Sequence, residues 1–567
     1  MPASNSDIAK VFDEIADLLE ILDENAFRIR AYRNAARLIE GLGVSAGQML
    51  AKGEDLTELP GIGKDLAGKI REIVETGTCA AREELRKKLP ATITTLLKIP
   101  GLGPKRVQTL YRRLDISTPE QLYAAVKDGK VRELPGFGEK TEAALLQALG
   151  RRAPADARFP LAVAAQYGEP LRAYLAKIPG VNDAVIAGSY RRSRETVGDL
   201  DLLVTAKDSA TVMDRFCEYP HVADVKSKGD TRATVVLANG LQVDLRVVPR
   251  TSFGAALYYF TGSKNHNVAV RRIAQQRKLK INEYGVFRGK RRVAGETEQS
   301  VFKAVRLPFI APELRENRGE LEAAQAGTLP TLVALDDLRG DLNVSPRDLE
   351  AELETFVEAA RQRTMRYLAI TLPARHMKPA QLQQSLAAID RANEARRGLV
   401  LLKAVAVDIA ENGELDAGNI ALDDFDIVTG AVNSAFDLPR AKQTRRVLRA
   451  LEHPRFTLFA HPTGRLLNRR EPCDLDVPRV IRAARERKCF LELNSQPERL
   501  DLPDVYCRVA REEGALIAIN SGAQRAAELE HLRYGLGQAR RGWLGAKNVV
   551  NTRTVADLRA LLQATRL

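Results

Sequence analysis

The sequence of 567 residues is poor in cysteine and histidine and has no long apolar run. Its five cysteines form neither a CxxC pair nor a spacing typical of a disulfide framework, which predicts a reduced, cytoplasmic setting. The longest apolar stretch, 399–406, is interrupted by Lys403, and the first helical pattern carries Asp7, Asp13 and Glu14. Neither feature is typical of a membrane span or of a secretory signal peptide. We therefore expect neither export nor membrane insertion.

The chain is long enough for several domains and has the composition of a globular protein. Its formal net charge is +14 and its pI is near 9.5. A strong excess of positive charge predicts a polyanionic partner. Nucleic acid is the expected partner if the chain also has a site for triphosphates, for which the motifs below give evidence.

Three carboxylates near the middle of the chain predict a metal site. Asp199 and Asp201 are two residues apart in a predicted strand, so both side chains point to one face. Asp244 is predicted on a hairpin whose strands flank Asn239-Gly240, a type I′ turn signal, which would bring it alongside the first strand. Carboxylates converging from two strands can hold two divalent cations, Mg²⁺ or Mn²⁺, for in-line phosphoryl transfer.

A Gly-Ser turn lies just before these acids. Gly188, Ser189 and Arg192 could hold a triphosphate through backbone N–H groups, a hydroxyl and a guanidinium. An isolated Asp-x-Asp pair more often lies on a solvated strand than in a metal site. The combination of the turn, the pair and the third aspartate favours a nucleotidyltransferase site.

A short Pro-Gly-x-Gly motif occurs three times before helical patterns in the first 150 residues. Its glycine pairs are Gly61 and Gly63, Gly101 and Gly103, and Gly136 and Gly138. One copy could be only an inter-helix turn, but three copies resemble helix-hairpin-helix DNA-binding motifs. The glycines allow a tight turn, and free N–H groups at the next helix start can receive a DNA phosphate whatever the base. A monovalent cation is a candidate ligand of these turns.

The C-terminal part alternates apolar runs with helical stretches, which predicts a parallel barrel. Together, the acids, the three hairpin motifs and this pattern resemble a bacterial family X DNA polymerase with a polymerase-and-histidinol-phosphatase (PHP) domain, over nearly the full length. The resemblance implies a multidomain α and α/β fold. Its expected parts are an 8-kDa-like DNA-binding domain (1–85), a second helix-hairpin-helix domain (86–155), a nucleotidyltransferase palm (156–250), a nucleotide-pocket and thumb subdomain (251–315), a linker (316–335) and a degenerate PHP barrel (336–567).

The same resemblance assigns roles around the nucleotide. Tyr259 and Phe260, followed by Gly262, match the motif that packs under the sugar and disfavours a 2′-hydroxyl. Asn267 and Arg271 match minor-groove contacts. Arg158 matches an arginine near the incoming triphosphate.

A further lysine matches the residue that some relatives use to remove 5′-deoxyribose phosphate. Lys69 lies on the helix after the first hairpin motif, but Asp65 and Asn34 replace two neighbouring family lysines. A lyase lysine must be partly unprotonated. The alternative is a lysine that only contacts phosphate.

The barrel departs from its family at the strand ends, where an active PHP domain binds three metal ions through His, Asp and Glu. The matching positions here are Asn343, Ser345, Leu372, Pro373, Ala406, Asn433, Gly522 and Gln524. These side chains cannot balance the charge of several metal ions. Only His461 remains recognisable as a ligand, and His376 is interpreted as a solvated loop residue. We predict a metal-free barrel without 3′-to-5′ exonuclease activity, kept as a scaffold that braces the polymerase domains or adds basic surface for DNA.

The sequence thus predicts a monomeric, cytoplasmic, nucleoid-associated repair polymerase that adds dNTPs to a primer 3′-hydroxyl in gapped or nicked DNA. Two alternatives stay open. The hairpin motifs alone would suit a non-catalytic protein that binds gaps or DNA ends, and the acids alone would suit a template-independent nucleotidyltransferase.

Overall fold

The computed structural model describes residues 5–40, 42, 46–90, 92–97, 99, 101–150, 158–373, 377–394 and 398–566. The predicted loop residue His376 lies outside these ranges. The chain forms two compact units, Met1–Arg158 and Phe159–Leu567. Among the described helices, none is both long and apolar enough to cross a membrane.

The first unit is helical. Its helices are α1 (Asn5–Ile21), α2 (Ala26–Glu40), α3 (Ala46–Ala51), α4 (Lys64–Thr76), α5 (Ala80–Lys87), α6 (Ile93–Leu96), α7 (Pro104–Leu114), α8 (Pro119–Lys127) and α9 (Glu139–Gly150). The apolar stripe of α1 is buried as its spacing predicts, with Ile8, Phe12 and Ile15 fully enclosed. Phe12 meets Tyr32 of α2 edge to face, with ring centroids 5.5 Å apart.

The second unit begins with the palm, a five-stranded sheet flanked by helices. Its elements are β1 (Phe159–Pro160), α10 (Leu161–Ala176), β2 (Val181–Ile186), α11 (Gly188–Arg191), β3 (Thr196–Val197), β4 (Asp199–Ala206), α12 (Ser209–Cys217), β5 (Val222–Lys228), β6 (Arg232–Leu237) and β7 (Gln242–Val247). The strand order is β2-β4-β7-β6-β5, and β4 and β7 are parallel. Because β4 and β7 are neighbours, their amino ends bring polar side chains to one end of the sheet.

The hairpin between β6 and β7 forms where predicted, but its turn differs. Gly240 has a left-handed φ of +87°, whereas Asn239 does not have a positive φ. A type I′ turn needs a positive φ at both residues. Leu237 N–H donates to Leu241 O at 2.9 Å and Gly240 N–H to Leu237 O at 2.8 Å. The connection is a three-residue loop that ends in a left-handed glycine, so the type I′ prediction was wrong while the pairing was correct.

The thumb follows the palm. Its elements are α13 (Phe253–Thr261), α14 (Lys264–Gln276), β8 (Lys280–Asn282), β9 (Gly285–Arg288), β10 (Arg291–Ala294), α15 (Glu298–Ala304) and α16 (Glu320–Ala326). Helix α16 lies in the segment 316–335, for which the sequence predicts a linker. Its Glu320 is fully buried and bonds to the buried His266 at 2.7 Å, and Leu321 joins the thumb core. This part of the segment is packed.

The C-terminal part is a nearly closed parallel barrel. Its elements are β11 (Gly340–Val344), α17 (Leu349–Gln362), β12 (Tyr367–Pro373), α18 (Pro379–Glu394), β13 (Val400–Ile409), β14 (Leu415–Asp416), β15 (Ile427–Ala431), α19 (Arg440–Leu451), β16 (Leu458–Phe459), α20 (Val477–Glu486), β17 (Phe490–Asn494), α21 (Asp504–Glu513), β18 (Ile517–Asn520), α22 (Leu532–Arg541) and α23 (Val555–Ala564). The parallel order is β11-β12-β13-β15-β16-β17-β18, and β14 pairs antiparallel with β13. The sequence predicts apolar runs at 367–371, 399–409, 425–432, 456–460, 490–494 and 515–520, and each overlaps one of these strands. Strands β11 and β14 were missed. Leu342 N–H donates to Asn520 Oδ1 at 3.1 Å, which links the first strand to the last.

Barrel residues also enter the cores of the palm and the thumb. Leu500 and Tyr534 belong to the palm core, and Trp543, the only tryptophan, belongs to the thumb core. Arg508 lies 4.5 Å above the Trp543 ring. The three parts of the second unit therefore share hydrophobic packing.

Candidate active site

Three aspartates lie together at one end of the palm sheet. Asp201 on β4 is directly opposite Asp244 on β7, and Asp199 is opposite Gln242. Alternate residues of a strand share a face, and the intervening Leu200 is fully buried in the palm core. The polar face of β4 therefore presents both of its aspartates beside the third.

Burial and like charge act on the central aspartate. Burial, followed by the carboxylates of Asp199 and Asp244, raises the pKa of Asp201 to about 7, against the opposing effect of Arg246 and Arg192. A cation would offset this excess of negative charge.

Asp244 has protein partners of its own. Thr234 Oγ1 donates to one carboxylate oxygen, Gln242 Nε2 donates to the other at 3.2 Å, and an Arg232 nitrogen lies 3.6 Å away. Within the described ranges, no three His, Cys, Asp or Glu side chains are already arranged as a metal site. Thr234 and Arg232 were not identified from the sequence, because they are brought to Asp244 by the register of β6.

The donor chemistry of the trio nevertheless fits hard divalent cations. All three side chains are carboxylates, the ligands that Mg²⁺ and Mn²⁺ prefer. Gly188 leaves space beside them, because a Cβ at this position would lie 2.5 Å from Asp201 Oδ2. The residues present can therefore accommodate divalent cations.

The Gly-Ser segment forms one helical turn, α11, directly after β2. Ala187 N–H donates to Asp201 O at 2.7 Å, which ties the start of this turn to β4. Arg194 N–H donates to Ser189 O at 3.1 Å and extends the turn. Gly188 and Ser189 thus lie beside the aspartates, as the sequence predicts.

Arg192 is largely buried and bonded to the protein. Its Nη1 donates to Thr261 O at 2.5 Å, and its Nε donates to Glu316 Oε1 at 3.1 Å. Burial lowers the pKa of Arg192, although Glu316 opposes this shift. The arginine predicted to bind triphosphate is therefore oriented by two thumb residues.

The neighbouring arginine, which sequence reasoning missed, joins the palm to the thumb. Arg191 donates to both oxygens of Glu298 at 2.9 and 2.6 Å and to Thr261 Oγ1 at 2.7 Å. Glu298 also accepts from the buried Arg315 at 2.6 Å. Burial alone would raise the pKa of Glu298, but the two arginines outweigh it and hold the pKa below its usual value. In the sequence, the sole sign of this pair was that Glu298 is an acid at the capped start of α15.

The aromatic pair lies at the end of α13 under two arginines. Arg271 is 5.0 Å from the Tyr259 ring, and Arg246 is 4.4 Å from the Phe260 ring. Asn267 Nδ2 donates to Tyr259 O at 2.7 Å. Gly262, the cap residue of α13, has a Cβ position 3.1 Å from Arg192 Nη1. Gly262, at the end of the helix that carries the aromatic pair, is thus a neighbour of Arg192.

The hairpin motifs of the first unit share one geometry. The first glycine of each pair is left-handed, with φ of +85°, +82° and +82° at Gly61, Gly101 and Gly136. Gly63 and Gly103 are the caps at which α4 and α7 begin, and neither has a side chain to bond the helix N–H groups. Helix α9 begins directly after Gly138. Such helix starts can donate N–H groups to phosphate.

Lys69 forms an ion pair with Asp65, one turn earlier on α4. Burial alone would lower the pKa of Lys69, but Asp65 and Tyr32 together outweigh it and the pKa is raised. This opposes the unprotonated amine that a Schiff-base lysine needs. Arg158, predicted near the triphosphate, is exposed at the end of the first unit, directly before β1.

Amides surround a buried carboxylate at the carboxyl ends of the barrel strands. Glu492 accepts hydrogen bonds from the side-chain amides of Asn343 at 2.8 Å, Asn520 at 3.0 Å and Asn494 at 3.2 Å, and from His461 N–H at 2.9 Å. Glu492 is fully buried. Asn343 stands where the family resemblance implies a histidine ligand, and here it donates to the carboxylate.

Two more ligand-type residues lie at these strand ends. Asp341 is buried and accepts from Asn343 N–H at 3.0 Å and Ser521 N–H at 2.9 Å, and burial raises its pKa to about 6. Burial lowers the pKa of His461 to about 3, and within the described residues its Nδ1 has no hydrogen-bond partner. Asp341 and Glu492 are therefore two buried acids at the same strand ends as His461, and neither was singled out from the sequence. The sequence signal that was missed is Glu492, an acid inside the otherwise apolar strand β17.

Family comparisons match the chain region by region. The matches are a helix-hairpin-helix domain at 3–79, a SAM-like helix-hairpin-helix tandem at 93–151, a DNA polymerase beta palm at 158–254 and a DNA polymerase beta thumb at 256–316.

Curated relatives give matching similarities. The chain is 34% identical over 572 residues to the DNA polymerase/3′-5′ exonuclease PolX of Bacillus subtilis. This alignment covers 98% of this chain and 99% of the relative. It is 27% identical over 298 residues to DNA polymerase lambda of Rattus norvegicus, 46% of this chain and 48% of the relative. DNA polymerase lambda of Arabidopsis thaliana is 25% identical over 350 residues, 55% of this chain and 62% of the relative.

Proposed function

Because the chain belongs to the bacterial PolX family of family X DNA polymerases, we propose that it fills short gaps in DNA during repair. It is a DNA-directed DNA polymerase with DNA and deoxynucleotides as substrates. The observation that carries the assignment is the pairing of Asp201 with Asp244 on adjacent strands, with Asp199 on the same face. We further propose gapped or nicked DNA as the preferred substrate and a monomer as the working form.

Asp199, Asp201 and Asp244 would hold two divalent cations, Mg²⁺ or Mn²⁺. When bound, these cations would help to activate the primer 3′-hydroxyl and to offset charge on the leaving pyrophosphate. Gly188 keeps the space beside Asp201 open, and Ser189 with Arg192 would bind the triphosphate. Tyr259 and Phe260 would pack under the sugar.

The hairpin motifs would hold the DNA backbone. Their helix starts offer N–H groups to phosphates without reading the base, which suits a polymerase that works on any sequence. Binding of this kind weakens steeply with salt. The ion pair with Asp65 supports a phosphate contact for Lys69 over a lyase role.

We also propose that the barrel has no 3′-to-5′ exonuclease activity. The amides around Glu492 already provide hydrogen bonds to the carboxylate that a metal ion would otherwise neutralise. Asn, Ser and Gln side chains cannot supply the negative charge that several metal ions require.

Single-nucleotide incorporation on gapped DNA tests the polymerase assignment. Each dNTP is offered separately opposite each template base, with wild type, Asp201→Ala and the control Asp230→Ala, an exposed acid in the β5–β6 turn. We expect incorporation to follow the template, and Asp201→Ala to slow it by at least about a thousandfold without loss of DNA binding. Incorporation that ignores the template would indicate a template-independent transferase, and DNA binding without any incorporation by wild type would indicate a pure binder.

A further inference from the structure

Helix α22 of the barrel holds the backbone of the turn that follows α11. Gln538 Nε2 donates to Ser193 O at 2.8 Å, and Arg541 Nη1 donates to Arg192 O at 2.9 Å. Both donors are buried. Two consecutive carbonyl groups of the proposed triphosphate turn are thus bonded by one helix that lies 345 and 349 residues further along the chain.

This contact depends on a glycine inside α22. Gly537 occupies a helix interior, where glycine is unfavourable. A Cβ at Gly537 would lie 2.7 Å from Ser193 Cβ, closer than side-chain atoms approach. The glycine therefore has a packing reason, because it lets the helix reach the turn.

A buried ionic network links the same helix to the side chain of Arg192. Glu316 Oε1 lies 2.8 Å from Arg541 Nη1 and 3.1 Å from Arg192 Nε. Arg541 Nη2 lies 2.8 Å from Asp504 on α21. The side chains of Arg541, Glu316 and Asp504 are at most 13% exposed, so solvent screens their charges little.

The network has more positive than negative charge. It contains two carboxylates and four guanidinium groups, those of Arg192, Arg194, Arg318 and Arg541. An excess of guanidinium groups favours an anionic ligand. The excess lies beside the turn to which the proposed function assigns the triphosphate.

We propose that the barrel acts as a positioning domain for the incoming nucleotide. Gln538 and Arg541 fix the backbone of the turn, and Glu316 orients the Arg192 guanidinium, so that the barrel sets the affinity of the palm for dNTP. This inference rests on the proposed polymerase function. It gives a barrel without nuclease chemistry a role in the reaction of the palm.

Steady-state kinetics of the full-length chain on a gapped substrate test this role. Arg541→Met removes the bonds to the turn and to Glu316, and Gly537→Ala pushes the helix away from the turn without changing charge. We expect each to raise KM for dNTP about tenfold, with kcat and the Kd for gapped DNA within about twofold of wild type. Gln538→Leu, which removes only the bond to Ser193, should raise KM less.

Arg540→Met is the matched control. Arg540 is the preceding residue of α22 and bonds Glu313 at 2.7 Å and Val333 O at 3.0 Å. Its change should leave KM within about twofold of wild type. Equal KM values for Arg541→Met and Arg540→Met, or a loss of kcat with KM unchanged in Arg541→Met and Gly537→Ala, would overturn the positioning role and leave the polymerase assignment intact. Absence of any incorporation by wild type would instead refute the polymerase function, and the positioning role with it.

Discussion

Carboxylates lie at strand ends in both the palm and the barrel, but their surroundings differ. In the palm, Asp201 adjoins two further aspartates and its pKa is raised to about 7. In the barrel, Glu492 is surrounded by the amides of Asn343, Asn494 and Asn520. The palm retains negative charge that a cation would offset, whereas neutral donors already satisfy the barrel carboxylate. The groups that surround an acid at a strand end therefore indicate metal binding better than the acid alone does.

The largest effect should come from breaking the amide network of the barrel. Glu492→Met keeps the side-chain length but leaves four N–H donors without their acceptor, those of the buried Asn494 and Asn520 and the half-buried Asn343 and His461. This loss should lower the free energy of unfolding by about 4 kcal/mol. Urea unfolding measures it. The control Glu498→Met changes an exposed residue and should shift stability by less than about 0.5 kcal/mol. A loss below about 1 kcal/mol for Glu492→Met would mean that the amides do not depend on the carboxylate.

In the palm, removal of a carboxylate is expected to raise the free energy of unfolding instead of lowering it. The pKa of Asp201 is raised in the folded state, so its ionisation destabilises the fold as pH rises from about 4 to about 7. In EDTA at about pH 8, Asp201→Asn should therefore be more stable than wild type by about 3 kcal/mol. Thermal unfolding measures this difference. Mn²⁺ should raise the Tm of wild type and not of the variant, and equal stabilities in EDTA would contradict the account.

A smaller, pH-dependent effect is expected at Glu316, where the barrel, thumb and palm meet. Burial alone would raise the pKa of Glu316, but Arg541, Arg192 and Arg194 outweigh it and hold the pKa at about 2. The folded pKa is below the unfolded value, so the contribution is fully present above about pH 5 and is lost as pH falls towards 2. Wild type should lose about 2 kcal/mol more than Glu316→Gln between about pH 5 and about pH 3 in urea unfolding. Parallel losses in the two proteins would show that the network does not hold this carboxylate.

The smallest effect is expected at the first hairpin motif, where backbone N–H groups and not side chains would bind the ligand. Gly61→Ala places a side chain at a φ of +85° and should destabilise the first unit by about 1 kcal/mol, with weaker DNA binding. Gly68→Ala, in the open interior of α4, should instead stabilise it by roughly 0.5–1 kcal/mol. Thermal unfolding and DNA titration of both variants check the pair. Equal shifts of one sign would mean that the left-handed turn is not required.

Features encoded locally were predicted from the sequence. The two-residue spacing of Asp199 and Asp201, the hairpin that carries Asp244 and the glycine pairs before α4 and α7 each depend on neighbouring residues. Local signals also marked the strands of the barrel, because parallel strands buried on both faces are continuously apolar. The exact turn between β6 and β7 was not predicted, since Asn-Gly suits more than one loop length.

Contacts between distant segments could not be predicted. Arg192 meets Glu316, 124 residues later, and Arg541, 349 residues later. No periodicity or motif couples positions so far apart. The amides around Glu492 come from three strands, and only Asn343 among them was interpreted from the sequence as a lost ligand. The network that joins the three amides is visible only in the fold.

One gel tests the central contrast between the palm and the barrel. A primer labelled at its 5′ end, in a one-nucleotide gap with a 5′-phosphate, is incubated with Mn²⁺, with and without dNTPs, using wild type and Asp201→Ala. We expect extension by wild type only, and no shortening by either protein. Shortening that persists in Asp201→Ala would contradict the proposal of an inactive barrel, because a nuclease site would then exist outside the palm.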